Sequence, residues 1–195
     1  MSDAAELHAN QIAYWNGTGG DHWVRRQELT DLVLAPVAEV VLARAAVQPG
    51  ERVIDIGCGC GATTLVLADA IRPGGALVAA DVSEPMLGRA RQRIGERPGI
   101  AYVCADATTH GFAPGWADLL FSRFGVMFFG EIALLTGGPR TANVVTLTQC
   151  RLLVLDIADF RAIAASRPEL LVVIQDEADR RLGLMGQAHT PGGKS

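Results

Sequence analysis

The alternation of apolar and polar positions changes period several times along the chain. Over residues 25–46, Leu29, Leu32, Val33, Val37, Val40, Val41 and Leu42 recur at spacings of three and four, the repeat of one helical face. Pro36 is expected to kink or divide this helix, and Pro49-Gly50 to end it. At RVIDIG the period collapses into a short, nearly continuous apolar run closed by glycines, which reads as a strand buried on both faces. The alternation then continues as a helix over 63–71, a turn at Pro73-Gly74-Gly75, a strand over 76–81, a helix over 84–94, and strands over 100–105 and 117–121. Strands alternating with crossover helices predict a three-layer α/β unit on a parallel sheet. Residues 1–24 are polar with clustered aromatics and glycines (AYWNGTGGDHW) and read as an irregular lead-in with one or two short helical turns.

From Phe129 the pattern is different. GEIALLTGG reads as one short helix, TANVVTL and CRLLVLD as two strands joined by a tight turn, and further helices begin near Asp156 and Pro168. GQAHTPGGKS reads as a flexible tail. A β-β-α-α order does not extend an alternating unit, so the chain divides into 1–128, 129–185 and 186–195.

Composition narrows the function classes. With 49% hydrophobic and 19% charged residues among 195, the chain is a globular protein rather than a disordered one. Seventeen basic against 21 acidic residues give a net charge of −4, without the basic excess of a nucleic-acid binder. Neither a leader peptide nor a membrane span is legible, and the expected location is the cytoplasm. Cys58, Cys60, Cys104 and Cys150 lack metal-ligand spacing and are expected to be buried, reduced thiols.

The candidate chemistry lies at strand ends. Gly57, Gly59 and Gly61 follow VIDI and precede a helix, where glycines let the backbone turn sharply and approach a nucleotide; Gly57, Gly59 and Ala62 also fit a GxGxxA pattern. Asp55, two residues before the first glycine, would disfavour a pyrophosphate and attract an ammonium group. Asp81 closes the second strand, 20 residues after Gly61, at the place of a carboxylate accepting two ribose hydroxyls. Asp106 closes the third strand, placed to accept from an exocyclic adenine amine. Each acid taken singly also reads as an ordinary strand-end or helix-cap carboxylate.

Taken together, VIDIGCGCGATT, AADVSEPML, CADA and ADLLFSRFGVMFF, in this order, resemble the amino-terminal part of a class I S-adenosylmethionine-dependent methyltransferase over residues 11–128. The resemblance implies a Rossmann-like core, S-adenosylmethionine (SAM) as cofactor and a small-molecule acceptor. It places Asp55 and the backbone of Gly57, Cys58, Gly59 and Gly61 near the methionine end, Asp81 at the ribose and Asp106 at the adenine, with Val82, Ala107 and Ser122 also at the cofactor. Ser122 and Arg123 follow the fourth strand, where open sheets bind ligands, although Arg123 also reads as an ion-pair residue. Tyr14, Trp15 and Trp23 either wall off the sulfonium or simply pack the lead-in against the sheet. His110 reads as solvent-exposed. No catalytic base is implied, because positioning supplies much of the acceleration in methyl transfer.

FGEIALL followed by PRTA resembles a second family, the phosphate-binding cassette of cyclic nucleotide-binding domains. Here Gly130 opens a helix whose free N–H groups could hold an anion, Glu131 would accept the ribose hydroxyl, and Arg140 beside Thr141 would pair with a cyclic nucleotide's phosphate. Only the latter half of such a domain has a counterpart, and so does only the front of the methyltransferase sheet. An apolar fourth strand left at an edge would expose unpaired backbone. TANVVTL or CRLLVLD pairing beside it, or a homodimer through that edge, would cover it; otherwise the chain is a marginal, inactive fusion.

Overall fold

The computed structural model describes residues 3–123, the pair Arg151–Leu152, and five helical residues, Ala162, Ala165, Ser166, Pro168 and Val172. Three helices lead: α1 (Asp3–Trp15), α2 (Thr18–Arg25) and α3 (Gln27–Ala45). Then follow β1 (Arg52–Ile56), α4 (Ala62–Ala70), β2 (Ala76–Asp81), α5 (Glu84–Ile94), β3 (Ile100–Cys104), β4 (Leu119–Phe121) and β5 (Arg151–Leu152). The strands form one parallel sheet in the order β3-β2-β1-β4-β5. This is the doubly wound α/β arrangement that the alternating pattern predicts. Its strand order reverses beside β1, the point at which open sheets bind ligands outside their carboxyl ends.

The core forms where α3 lies on the sheet. Leu34, Val37, Val41 and Ala45, spaced three and four apart on α3, bury against Val53, Leu77, Ala79, Leu119 and Phe121 of the strands, with Leu67 and Leu87 contributed by α4 and α5. Of the two outcomes expected of Pro36, division does not occur: α3 runs unbroken from Gln27 to Ala45. A helical proline frees the carbonyl four residues earlier, here that of Leu32. Leu32 is 73% exposed, so water can satisfy that group. At the other end of the core, Ser83 caps α5 by accepting from Met86 N, with Pro85 inside the first turn.

The lead-in is the larger correction. Residues 3–24 are not irregular: they supply α1 and most of α2, separated by a short turn. The glycines that argue for a loop instead allow close packing. A Cβ on Gly20 would collide with the Trp15 carbonyl and lie 2.8 Å from Ser83 Oγ. Gly20→Ala is therefore expected to destabilise the protein by ~1–3 kcal/mol, read from urea denaturation. Wild-type stability in that variant would contradict the packing.

Arg151 and Leu152 pair in parallel with Leu119 and Leu120. A residue pair from CRLLVLD thus adds to the outer edge of β4, one of the ways of covering it that the sequence left open. TANVVTL, the GEIALLTGG helix and the tail lie outside the described residues.

Candidate functional site at the carboxyl ends of the strands

One cleft gathers the ends of three neighbouring strands. Its walls are Ile56 and Gly57 after β1, Ala80, Asp81 and Val82 at the end of β2, Ala105 to Thr108 after β3, and His8 and Ile12 from α1. Five residues expected from sequence, Gly57, Asp81, Val82, Asp106 and Ala107, therefore converge here. Because the strands are parallel and in register, Ile56 faces Ala80 and Asp81 faces Cys104, so their following turns open on the same side.

The first turn is held by β2. Gly57 N and Cys58 N both donate to the Ala80 carbonyl, at 2.8 and 3.1 Å, and Gly59 N donates to Asp81 Oδ2 at 2.7 Å. Gly57, Gly59 and Gly61 have φ of 67°, 55° and 81°, the left-handed region that side chains resist. Gly61 also lets α4 approach α5, since a Cβ there would lie 2.9 Å from Ile94 Cδ1. The Cys58 side chain points away, into the main core.

Asp81 is almost fully buried, with Oδ1 accepting from Ser83 N at 2.8 Å while Oδ2 takes Gly59 N. Burial raises its pKa, opposed by these backbone donors. The carboxylate thus braces the glycine turn and the start of α5, with Val82 as a further backbone donor, and keeps acceptor capacity for a ligand hydroxyl. Asp106 accepts from Thr108 N and Oγ1 through Oδ1, at 2.9 and 2.7 Å, and meets His8 Nε2 through Oδ2 at 2.7 Å. Burial presses its pKa upward, but the bonds from His8 and Thr108 outweigh it and hold the carboxyl below its ordinary value.

Asp55 lies behind the turn rather than in the cleft wall. Its Oδ2 accepts from Thr63 and Thr64 hydroxyls at 3.1 and 2.7 Å, while Oδ1 is buried without a hydrogen-bond partner. Burial lifts its pKa to about 6 from the ordinary 3.8, against the pull of both hydroxyls and the nearby Arg123 charge. Ser122 Oγ donates to the Ile56 carbonyl at 2.8 Å, bracing β1 against β4.

Cys60 joins Trp15 and Met86 in a small apolar cluster with Tyr14 and Trp23 against it. Trp15 meets Tyr14 and Trp23 edge to face at 5.2 and 5.9 Å, so these aromatics pack the lead-in onto the glycine turn and α5. Burial raises the Cys58 thiol and pushes Cys60 up to about 12, so both stay protonated. Cys104 departs from expectation: it is exposed, because β3 is an edge strand. His110 is exposed as expected. Among the described residues no group of His, Cys, Asp and Glu could hold a metal ion. Gly130, Glu131, Arg140 and Thr141 lie outside the described residues.

The sequence reading missed His8, Ile12 and Asn16. A usable signal existed for the first two: His8, Ile12 and Trp15 follow the i, i+4, i+7 spacing of one helical face. Asn16 fastens the end of α1, with Nδ2 donating to the Val82 carbonyl at 2.9 Å and Oδ1 accepting from Glu84 N at 3.1 Å.

Comparison with known proteins gives two family matches, a methyltransferase domain over residues 53–137 and a cyclic nucleotide-binding domain over 125–167. Demethylmenaquinone methyltransferase of Beutenbergia cavernae is 35% identical over 111 residues, 54% of this chain and 44% of that protein. A cyclic nucleotide-gated potassium channel of Mesorhizobium japonicum is 41% identical over 61 residues, 31% of this chain and 17% of the channel. Magnesium protoporphyrin IX methyltransferase of Synechocystis PCC 6803, solved with bound S-adenosylhomocysteine (SAH), aligns at 26% identity over 60% of this chain and 57% of that chain, with a TM-score of 0.44. The chain spans less than half the length of either curated relative. Residues 53–137 thus match a methyltransferase domain, and that match runs into a segment that matches cyclic nucleotide-binding domains.

Proposed function

We propose that the protein binds SAM in the cleft at the ends of β1, β2 and β3 and transfers its methyl group to a small-molecule acceptor. The observation that carries this reading is the convergence of Asp81, Asp106 and the Gly57 turn on one cleft, within the segment that matches a methyltransferase domain. The donor set suits the cofactor: Asp81 would hold the ribose, Asp106 and Ala107 the adenine, and the Gly57 to Gly61 backbone the methionine end. The orphaned Oδ1 of Asp55 leaves a buried acceptor behind that turn, suited to an ammonium group reaching it directly or through water. When bound, SAM supplies a methyl group already activated on a sulfonium, so the protein's task is to position the acceptor and exclude competing nucleophiles.

Residues 1–128 form the cofactor unit in this reading, 129–185 a cyclic nucleotide-like segment and 186–195 a tail. The chain works in the cytoplasm, without nucleic acid or membrane as partner; a homodimer, if formed, would not need the β4 edge, which β5 covers. Among the described residues no helix is long and apolar enough to cross a membrane. Calorimetric titration with SAH is expected to show saturable binding, and a flat isotherm up to millimolar SAH would defeat the proposal. Turnover is expected to be slow, because the methyltransferase match ends at residue 137, before the later loops that shape acceptor pockets, and small misplacements cost rate steeply. Label transfer from SAM to a panel of small acceptors measures it; ordinary methyltransferase rates would contradict that expectation.

The match over 125–167 favours a second reading, a cyclic nucleotide-binding module built on Gly130, Glu131, Arg140 and Thr141. We expect weak binding, since only the latter half of such a domain has a counterpart in the sequence, and an anion that is not enclosed gains only ~0–1 kcal/mol from a cation. Micromolar cAMP or cGMP binding that disappears in Arg140→Ala would promote this reading over ours.

A further inference from the structure

The cleft is crossed by α1. His8 and Ile12 of α1 line it opposite the turns that follow the strands. His8 Nε2 sits 2.7 Å from Asp106 Oδ2, the oxygen that remains after Thr108 has taken Oδ1. The helix is fastened unevenly. Its carboxyl end is anchored: Trp15 is buried, Ser83 Oγ donates to the Trp15 carbonyl at 2.6 Å, and Asn16 bonds to Val82 and Glu84. Toward the amino end, His8 and Ile12 are half-buried, and Glu6, Ala9, Asn10 and Ala13 are exposed. Such a segment opens at low free-energy cost, pivoting on its buried end.

We propose that α1 is a strap across the nucleoside end of the cleft, and that His8 competes with the ligand's base for Asp106. This rests on the reading of the cleft as a SAM site. With the strap down, Asp106 is satisfied by His8 at Oδ2 and by Thr108 at Oδ1. With the strap lifted at its amino end, Oδ2 is released to accept from an exocyclic amine. Ligand affinity is then scaled by the fraction of molecules whose strap is open, so loosening the His8 contact tightens binding without adding any contact to the ligand.

The test uses SAH isotherms and hydrogen exchange on the full chain in four forms: wild type, His8→Ala, His8→Gln and Asp81→Ala. Because His8–Asp106 is a partly exposed pair, His8→Ala is expected to bind SAH about two- to fivefold more tightly. The ligand-free variant should also show faster exchange in α1, with α4 unchanged. His8→Gln retains a side-chain N–H of similar reach and should restore wild-type affinity and exchange. Unchanged or weaker binding by His8→Ala would overturn the strap, weaker binding meaning that His8 helps to hold the base. SAH binding that wild type shows and a folded Asp81→Ala variant loses keeps the cofactor reading standing whatever His8 does. No SAH binding by wild type or either His8 variant overturns the cofactor reading and the competition together.

Discussion

Asp81→Ala is expected to weaken SAH binding by at least about a hundredfold. Two hydrogen bonds from ribose hydroxyls to a charged acceptor are each worth ~1.5–3 kcal/mol, and alanine removes both. The structure adds a second consequence. Asp81 also receives Gly59 N and Ser83 N in a buried setting, so the substitution leaves two donors unpaired at ~1–3 kcal/mol each and releases the glycine turn. Affinity and stability should therefore fall together, and calorimetry has to be run where circular dichroism shows the variant folded. A folded Asp81→Ala protein with wild-type SAH affinity would remove Asp81 from the site.

Asp55→Asn is expected to separate stability from binding. The Asp55 carboxyl titrates near 6 in the folded protein because it is buried, against an ordinary value of 3.8. Between these values the folded state holds a proton that the unfolded state has lost, so this group's contribution makes stability fall as pH rises from about 4 to about 6. Above that window the penalty is complete, on the order of 3 kcal/mol for a shift of about two pH units. Asparagine keeps an oxygen for Thr63 and Thr64 but carries no charge, so the variant should gain stability at pH 8 and lose that part of the pH slope. If Asp55 serves the cofactor's ammonium group, wild-type SAH affinity should rise between pH 5 and 7 as Asp55 ionises, and the variant should bind more weakly at pH 8. Chemical denaturation at pH 4, 6 and 8 measures the first effect; an asparagine variant less stable at pH 8, with an unchanged slope, would contradict it.

The legible part of this protein was its periodic part. The helix over 84–94 and the strand over 76–81 fall where the sequence places them, because a buried parallel strand and a capped amphipathic helix each leave a local signature in residue order. The glycine turn and the three acids were legible for the same reason, since strand-end position and spacing are sequence properties. Which oxygen faces what was not. Asp55 turned out to be tied to Thr63 and Thr64, and Asp106 to His8, 98 residues away, and no local pattern encodes a contact of that separation. The lead-in was misread because Gly19 and Gly20 look like loop residues, whereas their use is to let α2 approach Tyr14, Trp15 and Ser83. Pro36 does not divide its helix, which is held by burial of Leu34, Val37 and Val41.

The central claim is that the ends of β1, β2 and β3 form the cofactor cleft. Hydrogen exchange with and without saturating SAH tests it most directly, because it reads where the ligand acts without requiring turnover. The account predicts slowed exchange at residues 57–61, 81–83 and 105–108, the turns that meet at Asp81 and Asp106. Unchanged exchange at all three turns, or protection confined to segments away from them, would contradict it.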